Sequence, residues 1–272
     1  MFARRDTPTP AARPLTVLTS DGVELQGLHL PGAVGAPVFV IGHGFTNSIA
    51  KASTRAVIDH FADFGAVVAL DFRGHGRSGG SGSVGRDEVL DLDAAVAFAS
   101  SQDYGAIHSV GFSMGASIAL RHAALGARSV DTVVAVSSPS RWYIRETSPM
   151  RRVHWLLENP LGPAVGRMLG VRLGVPWPVI PQTPLEVIDR ITPTPLLLVH
   201  GTDDHYFSPA HALALQAASR GHAELWIEPG MGHAESASTP ELIGRIAQWS
   251  IGPRPDRASV GNSQRPVSSH SG

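Results

Sequence analysis

Three short stretches of this 272-residue chain carry side chains that together could cleave an acyl bond. GFSMG places Ser113 between two glycines, HGTDDH contains Asp203 and Asp204, and GMGH ends at His233. A serine hydroxyl is a weak nucleophile until a nearby base accepts its proton, and that base needs a carboxylate to orient it. These residue types therefore predict nucleophilic acyl transfer.

The surroundings of Ser113 make its short motif specific. GFSMG matches G-x-S-x-G directly after the strand-like stretch IHSV and directly before a helix-like segment. A sharp strand-to-helix turn strains the backbone at the serine, and crowding by neighbouring backbone requires glycine at positions 111 and 115. The N-terminus of the following helix stabilises developing negative charge. We therefore predict that Ser113 is the nucleophile.

His233 is the predicted base among thirteen histidines. Most of the others lie in predicted helices or strands, where a surface or core role is the ordinary interpretation. His233 lies in the glycine-rich turn PGMGHAES after the last predicted strand, and loops at the carboxyl ends of strands carry function. His222 precedes that strand and lies at its opposite end.

The stretch HGTDDH, residues 200–205, also raises the question of a metal site. Metal ligands must converge on one point with suitable geometry, whereas adjacent aspartates in a loop tend to diverge. The chain contains no H-x-H or H-E-x-x-H arrangement. We therefore predict no metal and no organic cofactor, and one of the two aspartates as the carboxylate that orients His233.

Composition excludes several other classes of chemistry. The chain has no cysteine, which rules out disulfides, thiolate metal sites and a cysteine nucleophile, and its one lysine is Lys51. With 22 basic and 23 acidic residues, the net charge of −1 makes nucleic acid an unexpected partner. The chain contains no run of 18 apolar residues, so no membrane span is expected, and the N-terminus lacks the apolar stretch of a secretory signal. We expect a cytoplasmic protein.

Alternating strand-like and helix-like segments predict the scaffold. A hairpin is expected over 15–32, and short continuous apolar runs predict buried parallel strands at 36–44, 65–76, 106–115, 131–139, 194–201 and 223–230. Helices are expected near 48–63, 86–100, 113–126, 208–221 and 239–252. This alternation predicts an α/β fold with a mostly parallel eight-stranded sheet and helices on both faces.

Residues 140–190, between the sixth and seventh predicted strands, break this alternation. We interpret them as a helical insertion at the ligand-binding edge of the sheet, serving either as a lid or as a structural cap. Residues 1–14 are expected to be a flexible N-terminal segment, residues 15–252 the folded domain and residues 253–272 a disordered tail.

The ordered motifs resemble those of the α/β-hydrolase superfamily, in its serine aminopeptidase/lysophospholipase-like, esterase-type branch. VIGHGF (40–45) resembles the His-Gly oxyanion loop, and DFRGHGRSGG (71–80) is similar to the D-x-R-G-x-G-x-S segment. HGTDD resembles the H-G-x-x-D acid loop and GMGH the G-x-x-H base loop. The resemblance covers about residues 15–252 and implies the α/β-hydrolase fold.

The resemblance also implies roles for the matched residues. Ser113 would be the nucleophile and His233 the general base, then acid. The spacing G-x-x-D selects Asp204 as the triad acid and leaves Asp203 as the alternative. The sixth predicted strand ends in VSSPS, which offers no carboxylate. The acid is therefore expected after the seventh strand.

The same resemblance implies an oxyanion hole formed by the backbone N–H groups of Phe45 and Met114. His43 would brace the oxyanion loop. Three further residues of the DFRGHGRSGG segment are expected to hold its turn together by hydrogen bonds without taking part in chemistry: Arg73, His75 and Arg77.

The predicted function is a serine hydrolase that cleaves a small or medium carboxylic ester through an acyl-enzyme intermediate. Trp142, Trp155 and Trp177 in the insertion suggest an apolar pocket wall for an acyl or aryl ester. The alternatives on the same triad are a thioesterase, an amidase or peptidase, a C–C hydrolase and a perhydrolase; a non-catalytic binding module is a further alternative. Four arginines either attract an anionic substrate or form a solvated helix face: Arg141, Arg145, Arg151 and Arg152.

Overall fold

A computed structural model describes residues 11–253 of the chain. The first strand begins at Arg13, so the end of the segment expected to be flexible already belongs to the sheet. The rest of that segment, residues 1–10, and the tail from residue 254 onward lie outside the described residues.

Eight strands within residues 11–253 form one sheet with the order β1-β2-β4-β3-β5-β6-β7-β8. Their bounds are β1 Arg13–Leu18, β2 Glu24–Leu30, β3 Pro37–Gly42, β4 Ala66–Leu70, β5 Ala106–Phe112, β6 Thr132–Val136, β7 Leu196–Gly201 and β8 Ala223–Glu228. β1 pairs with β2 and β2 with β4 in antiparallel fashion, and the other pairs are parallel. The predicted mostly parallel eight-stranded sheet is confirmed.

Helices cover both faces of this sheet. Their bounds are α1 Ala52–Ala62, α2 Glu88–Ser100, α3 Met114–Leu125, α4 Ser148–Glu158, α5 Gly162–Met168, α6 Pro184–Val187, α7 Ala210–Ala218 and α8 Pro240–Ile251, with short 3₁₀ helices at Ile188–Ile191 and Ala234–Ala237. Because successive strand side chains point to opposite faces, Val38 and Val40 pack in the cluster that contains α2 and α3 side chains. Phe39 and Ile41 pack in the cluster of α1 and α8.

The first helix is shorter than its expected span of 48–63. It begins at Ala52, and the residues before it form turns. Thr46 has a φ of 58°, and the amide of Ile49 donates to Oδ1 of Asp71 at 2.8 Å instead of joining a helix. The sequence pattern missed this because Ile49 has the helical spacing of a buried residue.

The segment between β6 and β7 is the predicted helical insertion: it contains α4, α5, α6 and the 3₁₀ helix Ile188–Ile191. Its middle part is joined to the loop that follows β4. The amide of Gly82 donates to the carbonyl of Arg172, and the amide of Arg172 donates to the carbonyl of Gly74, both at 2.7 Å. The role of the insertion as a lid stays a prediction.

None of the helices within residues 11–253 has the length and apolar character that a membrane crossing requires.

Candidate active site

Ser113 lies in the sharp turn between β5 and α3, with a φ of 53° and a ψ of −114°. Two glycines make this turn possible. A Cβ atom on Gly111 would lie 2.1 Å from the carbonyl oxygen of Gly115, and one on Gly115 would lie 2.2 Å from that of Gly42. The crowding expected from the G-x-S-x-G motif is therefore present, and it comes from backbone atoms that have no rotamer with which to move away.

Three of the predicted site residues form one chain of hydrogen bonds. The hydroxyl of Ser113 lies 2.9 Å from Nε2 of His233, and Nδ1 of His233 lies 2.8 Å from Oδ2 of Asp204. Oδ1 of Asp204 accepts the amides of Tyr206 at 2.9 Å and Phe207 at 3.1 Å. An ionised carboxylate can only accept, so Nδ1 of His233 carries a proton and Nε2 is free to accept the serine proton.

The surroundings of Asp204 keep it ionised. Burial raises the pKa of this carboxyl group, but the hydrogen bond and charge of His233 and the amides of Phe207 and Tyr206 outweigh burial. The net result is a pKa below the ordinary value for an aspartate. Asp204 therefore carries a negative charge at neutral pH, which is what the protonated Nδ1 of His233 requires.

Asp203 points elsewhere. Its side chain is exposed, its Oδ1 accepts a hydrogen bond from the hydroxyl of Thr202 at 2.9 Å, and its amide donates to the carbonyl of Met231 at 3.0 Å. Of the two adjacent aspartates, the structure brings Asp204 to the imidazole and leaves Asp203 in the turn.

The two histidines of HGTDDH also separate. Nε2 of His200 donates to the carbonyl of Phe207 at 2.9 Å, and the exposed His205 packs its ring against Tyr206 at a centroid distance of 4.8 Å. Within residues 11–253, no three histidine, aspartate or glutamate side chains are grouped as metal ligands. The predicted absence of a metal stays a prediction.

Phe45 and Met114 line the same cavity as Ser113. Among the described residues, none accepts a hydrogen bond from the backbone amide of either one. Buried or half-buried amides are normally paired, so two such donors beside a nucleophile have the composition of an anion-binding site. Their role as an oxyanion hole stays a prediction.

His43 fixes the loop that carries Phe45. The amide of Phe72 donates to Nε2 of His43 at 3.1 Å, so the proton of the neutral ring lies on Nδ1, which donates to the carbonyl of Gly44 at 2.8 Å. Burial, followed by the charge of His75, lowers the pKa of His43 to about 3. The ring therefore stays neutral and keeps this donor–acceptor arrangement.

The segment DFRGHGRSGG forms a turn, and the three residues expected to hold it together do make hydrogen bonds there. Arg73 pairs with Oδ1 of Asp91 at 2.7 Å and with Oδ2 of Asp21 at 2.8 Å. Its carbonyl lies 3.0 Å from Nδ1 of His75, and the amide of Arg77 donates to Asp71 at 3.1 Å.

Sequence reasoning missed Glu235, a buried carboxyl group two residues after His233. Its Oε1 accepts the amide of Gly44 at 2.7 Å. Burial raises its pKa above the ordinary value for a glutamate. The stretch GHAES contains this residue next to the predicted base, but no spacing rule predicts that a 3₁₀ turn directs it towards the loop after β3.

Two aromatic residues next to Asp204 were also missed. The ring of Tyr206 lies 4.4 Å from that of His233, centroid to centroid, and the ring of Phe207 lies 5.4 Å from it. Both rings therefore pack against the imidazole of His233.

A cavity of about 1070 Å³ opens onto Ser113 and His233. Its wall combines the loops at the carboxyl ends of the strands with the insertion, including all three insertion tryptophans, Trp142, Trp155 and Trp177. The rings of Trp142 and Trp177 meet edge to face at a centroid distance of 5.6 Å. The cavity exceeds the ordinary range of about 300–1,000 Å³ for small-molecule sites only slightly.

Of the four arginines near the start of the insertion, three bond within the insertion itself. Arg141 pairs with Glu146, Arg145 pairs with Glu158 at 2.6 Å, and Arg151 donates to the carbonyls of Arg145 and Glu146 at 3.1 Å. Arg152 is exposed and lies in the cavity wall. The arrangement favours the interpretation of these arginines as a solvated surface.

Comparison with known proteins bears on the fold. Residues 36–168 match the family model of "Serine aminopeptidase, S33". No curated protein sequence matches the chain.

Solved structures share the fold at low sequence identity. The esterase Pf2001 of Pyrococcus furiosus aligns with a TM-score of 0.70 and 24% identity over 88% of this chain and 90% of that one. XC6422 of Xanthomonas campestris, named as an α/β serine hydrolase without a lid, aligns with a TM-score of 0.61 and 20% identity over 90% of this chain and 95% of that one. Est1E of Butyrivibrio proteoclasticus, solved with ferulic acid, aligns with a TM-score of 0.60 and 18% identity over 86% of this chain and 97% of that one.

The chain has the α/β-hydrolase fold of these structures. The predicted resemblance to the serine aminopeptidase-like branch is confirmed by the family match over residues 36–168.

Proposed function

We propose that the protein is a serine hydrolase that cleaves a carboxylic ester with Ser113 as nucleophile, His233 as base and Asp204 as the orienting acid. The observation that carries the proposal is the continuous hydrogen-bond chain from Oγ of Ser113 through the imidazole to Oδ2 of Asp204, with links of 2.9 and 2.8 Å. Such a chain couples proton removal from the serine to a stabilised imidazolium.

The proposed reaction has two halves. Oγ of Ser113 attacks the ester carbonyl carbon while Nε2 of His233 takes its proton, and the amides of Phe45 and Met114 bind the negatively charged oxygen. The imidazolium then gives this proton to the departing alcohol, which leaves an acyl-enzyme. Water attacks the acyl carbon with His233 again accepting a proton, and the acid is released as Ser113 regains its own.

The cavity supports an apolar ester of medium rather than small size. Trp142, Trp155 and Trp177 offer aromatic surface, and a volume of about 1070 Å³ exceeds the needs of an acetyl group. Burying each methylene of an acyl chain contributes about 0.8 kcal/mol of binding free energy. The part of the ester nearest the insertion is therefore expected to be an acyl chain or an aromatic ring.

The carboxylates of the cavity favour an ester over a peptide with a free amino terminus. Of the residues that the structure places in the cavity wall, Glu158 and Glu235 carry carboxyl groups. Glu158 is paired with Arg145 at 2.6 Å, and Glu235 is buried against the amide of Gly44. A substrate ammonium group would therefore have to displace an existing partner before it could pair with either of them.

The nucleophile is tested by comparing Ser113→Ala with Ser250→Ala. Ser250 is also buried, but its hydroxyl donates to the carbonyl of Ile246 in α8, outside the cavity. We expect Ser113→Ala to lose hydrolysis of p-nitrophenyl esters and labelling by a fluorophosphonate probe, and Ser250→Ala to keep both. Wild-type turnover by Ser113→Ala would overturn the proposal. A panel of ester, thioester and aminoacyl substrates separates the ester from the other acyl groups.

A further inference from the structure

The buried glutamate beside the candidate base contacts the opposite wall of the active site. Glu235 lies in the 3₁₀ helix that follows His233, is 6% exposed, and accepts the amide of Gly44 through Oε1 at 2.7 Å. The nearby side chain of Asn47 opposes the rise in the pKa of Glu235 that burial causes. Glu235 thus connects the loop that carries the base to the loop that carries the candidate oxyanion donor, 191 residues away in the chain.

Gly44 is held on both sides. Its N–H donates to Glu235. Its carbonyl oxygen accepts hydrogen bonds from Nδ1 of His43 at 2.8 Å and from the amide of Asn47 at 3.1 Å. Because the peptide group is planar, fixing the carbonyl of Gly44 also fixes the direction of the N–H of Phe45 in the same peptide unit. Glycine is the residue with the most backbone freedom, so the contact on each side is needed to define one conformation.

The distances place this contact at the nucleophile. A Cβ atom on Gly44 would lie 3.3 Å from Cβ of Ser113 and 3.3 Å from Oε2 of Glu235. Gly44 is therefore adjacent to both the serine and the carboxyl group. A small rotation about Gly44 would move the amide of Phe45 relative to Oγ of Ser113, and donors of this kind must be in place before charge develops.

We propose that Glu235 is a positioning residue that accepts the amide of Gly44 and thereby aims the N–H of Phe45 at the oxygen of the tetrahedral intermediate. The inference rests on the proposed function, since it concerns the oxyanion hole of the same site. What Glu235 supplies is an acceptor in the right place, and this role does not require its negative charge. A carboxylate close to a developing oxyanion is unfavourable, and the hydrogen bond from the amide of Gly44 disperses part of its charge.

The experiment compares Glu235→Ala, which removes the acceptor, with Glu235→Gln, which keeps an acceptor oxygen and removes the charge. We expect Glu235→Ala to lower kcat about 10²-fold with KM within about threefold, which is the lower end of the loss caused by removing one oxyanion donor. A trifluoromethyl ketone whose adduct places an oxyanion in the hole should bind about 10²-fold more weakly. Glu235→Gln should keep kcat and inhibitor affinity within about fivefold of the wild type.

Matched controls are Glu241→Ala and Glu241→Gln, because Glu241 is an exposed glutamate at the start of α8, outside the cavity. They should change neither kcat nor inhibitor affinity. If Glu235→Ala does not fold, as judged by its thermal transition, Glu235→Gln decides alone: a loss of kcat comparable to 10²-fold in this variant would overturn the role of acceptor. Wild-type kcat in a folded Glu235→Ala would overturn it as well.

Failure of this inference is distinguishable from failure of the proposed function. An inactive, unlabelled Ser113→Ala together with a fully active Glu235→Ala would overturn the positioning role and keep the serine hydrolase. An active Ser113→Ala would overturn both.

Discussion

Nδ1 of His233 lies 2.8 Å from Oδ2 of Asp204, while Asp203, the preceding residue, has an exposed side chain bonded to Thr202. The two carboxylates belong to adjacent residues, yet the turn directs one to the imidazole of His233 and the other to the exposed surface. The chemistry of the site therefore depends on which aspartate occupies which position of the turn.

Replacing each aspartate by asparagine separates their roles. Asp204→Asn is expected to lower kcat about 10⁴-fold, because an amide that donates to Nδ1 favours the wrong imidazole tautomer. Asp203→Asn should stay within about threefold, since its carboxylate contacts the hydroxyl of Thr202 and no catalytic group. Steady-state kinetics on one ester measures both. The reverse order of effects would exchange the two assignments.

The glycines around Ser113 are expected to be indispensable. Gly111→Ala would place Cβ 2.1 Å from the carbonyl of Gly115, so we expect a loss of about 3 kcal/mol in the free energy of unfolding and no esterase activity. Gly244→Ala is the matched control. Gly244 lies inside α8, and a Cβ atom there would lie 3.4 Å from the ring of Phe64, which is an ordinary contact distance. That variant should gain about 0.5–1 kcal/mol from helix propensity. Urea denaturation measures both, and equal stabilities would contradict the crowding argument.

Trp155 is expected to determine acyl-chain preference. It lies in the cavity wall on α4, is 49% exposed, and can be shortened with little disturbance of the core. Trp155→Ala should lower kcat/KM for p-nitrophenyl octanoate about tenfold and leave the value for the acetate unchanged, since it removes apolar contact only from longer chains. Trp226→Ala, on the edge strand β8, is the control. A parallel loss for both esters would show that Trp155 acts on folding or on chemistry.

Stability should decrease as the solution becomes acidic. Burial is the largest cause that lowers the pKa of five described histidines: His29, His43, His75, His200 and His211. The unfolded chain binds protons below its ordinary histidine pKa of 6.5, whereas His43 stays neutral in the folded protein down to about 3. Between these values the unfolded state holds the extra proton, so stability rises with pH and is lost as pH falls.

The expected slope from His43 alone is about 1.4 kcal/mol per pH unit. Burial raises the pKa of Asp91 to about 6 and also raises that of Glu235. These two groups offset part of the loss of stability at low pH, because they bind protons at a higher pH in the folded protein than in the unfolded chain. Urea denaturation between pH 7.5 and 5.5 measures the sum. A stability that is constant or increases towards pH 5.5 would contradict the expected dominance of the buried histidines.

Much of the scaffold follows from local chemistry that a sequence displays. Continuous apolar runs predict the parallel strands because both faces of each strand are covered, and the G-x-S-x-G motif predicts the crowded turn because only glycine fits there. The spacing of the acid loop likewise selected the aspartate that lies at His233. Each of these features is marked in the sequence by a short motif or by one repeating pattern.

The features that sequence reasoning missed depend on contacts between distant segments. Glu235 bonds to Gly44 across 191 residues, and Ile49 leaves its helical pattern because Asp71 accepts its amide. The insertion is held against the loop after β4 by backbone bonds at Arg172, which no side-chain pattern encodes. A buried carboxyl group or a tertiary backbone bond has no periodicity, so only the folded arrangement reveals it.

The backbone at Ser113 also has a consequence for how the protein balances stability against reactivity. A non-glycine residue at a φ of 53° and a ψ of −114° costs of order 1–3 kcal/mol, and alanine there would bear the same strain. Ser113→Gly should therefore unfold at a higher urea concentration than Ser113→Ala, although both lack the hydroxyl. The most stable residue at this position is then not the reactive one, and selection for activity holds the chain below the stability its fold could reach.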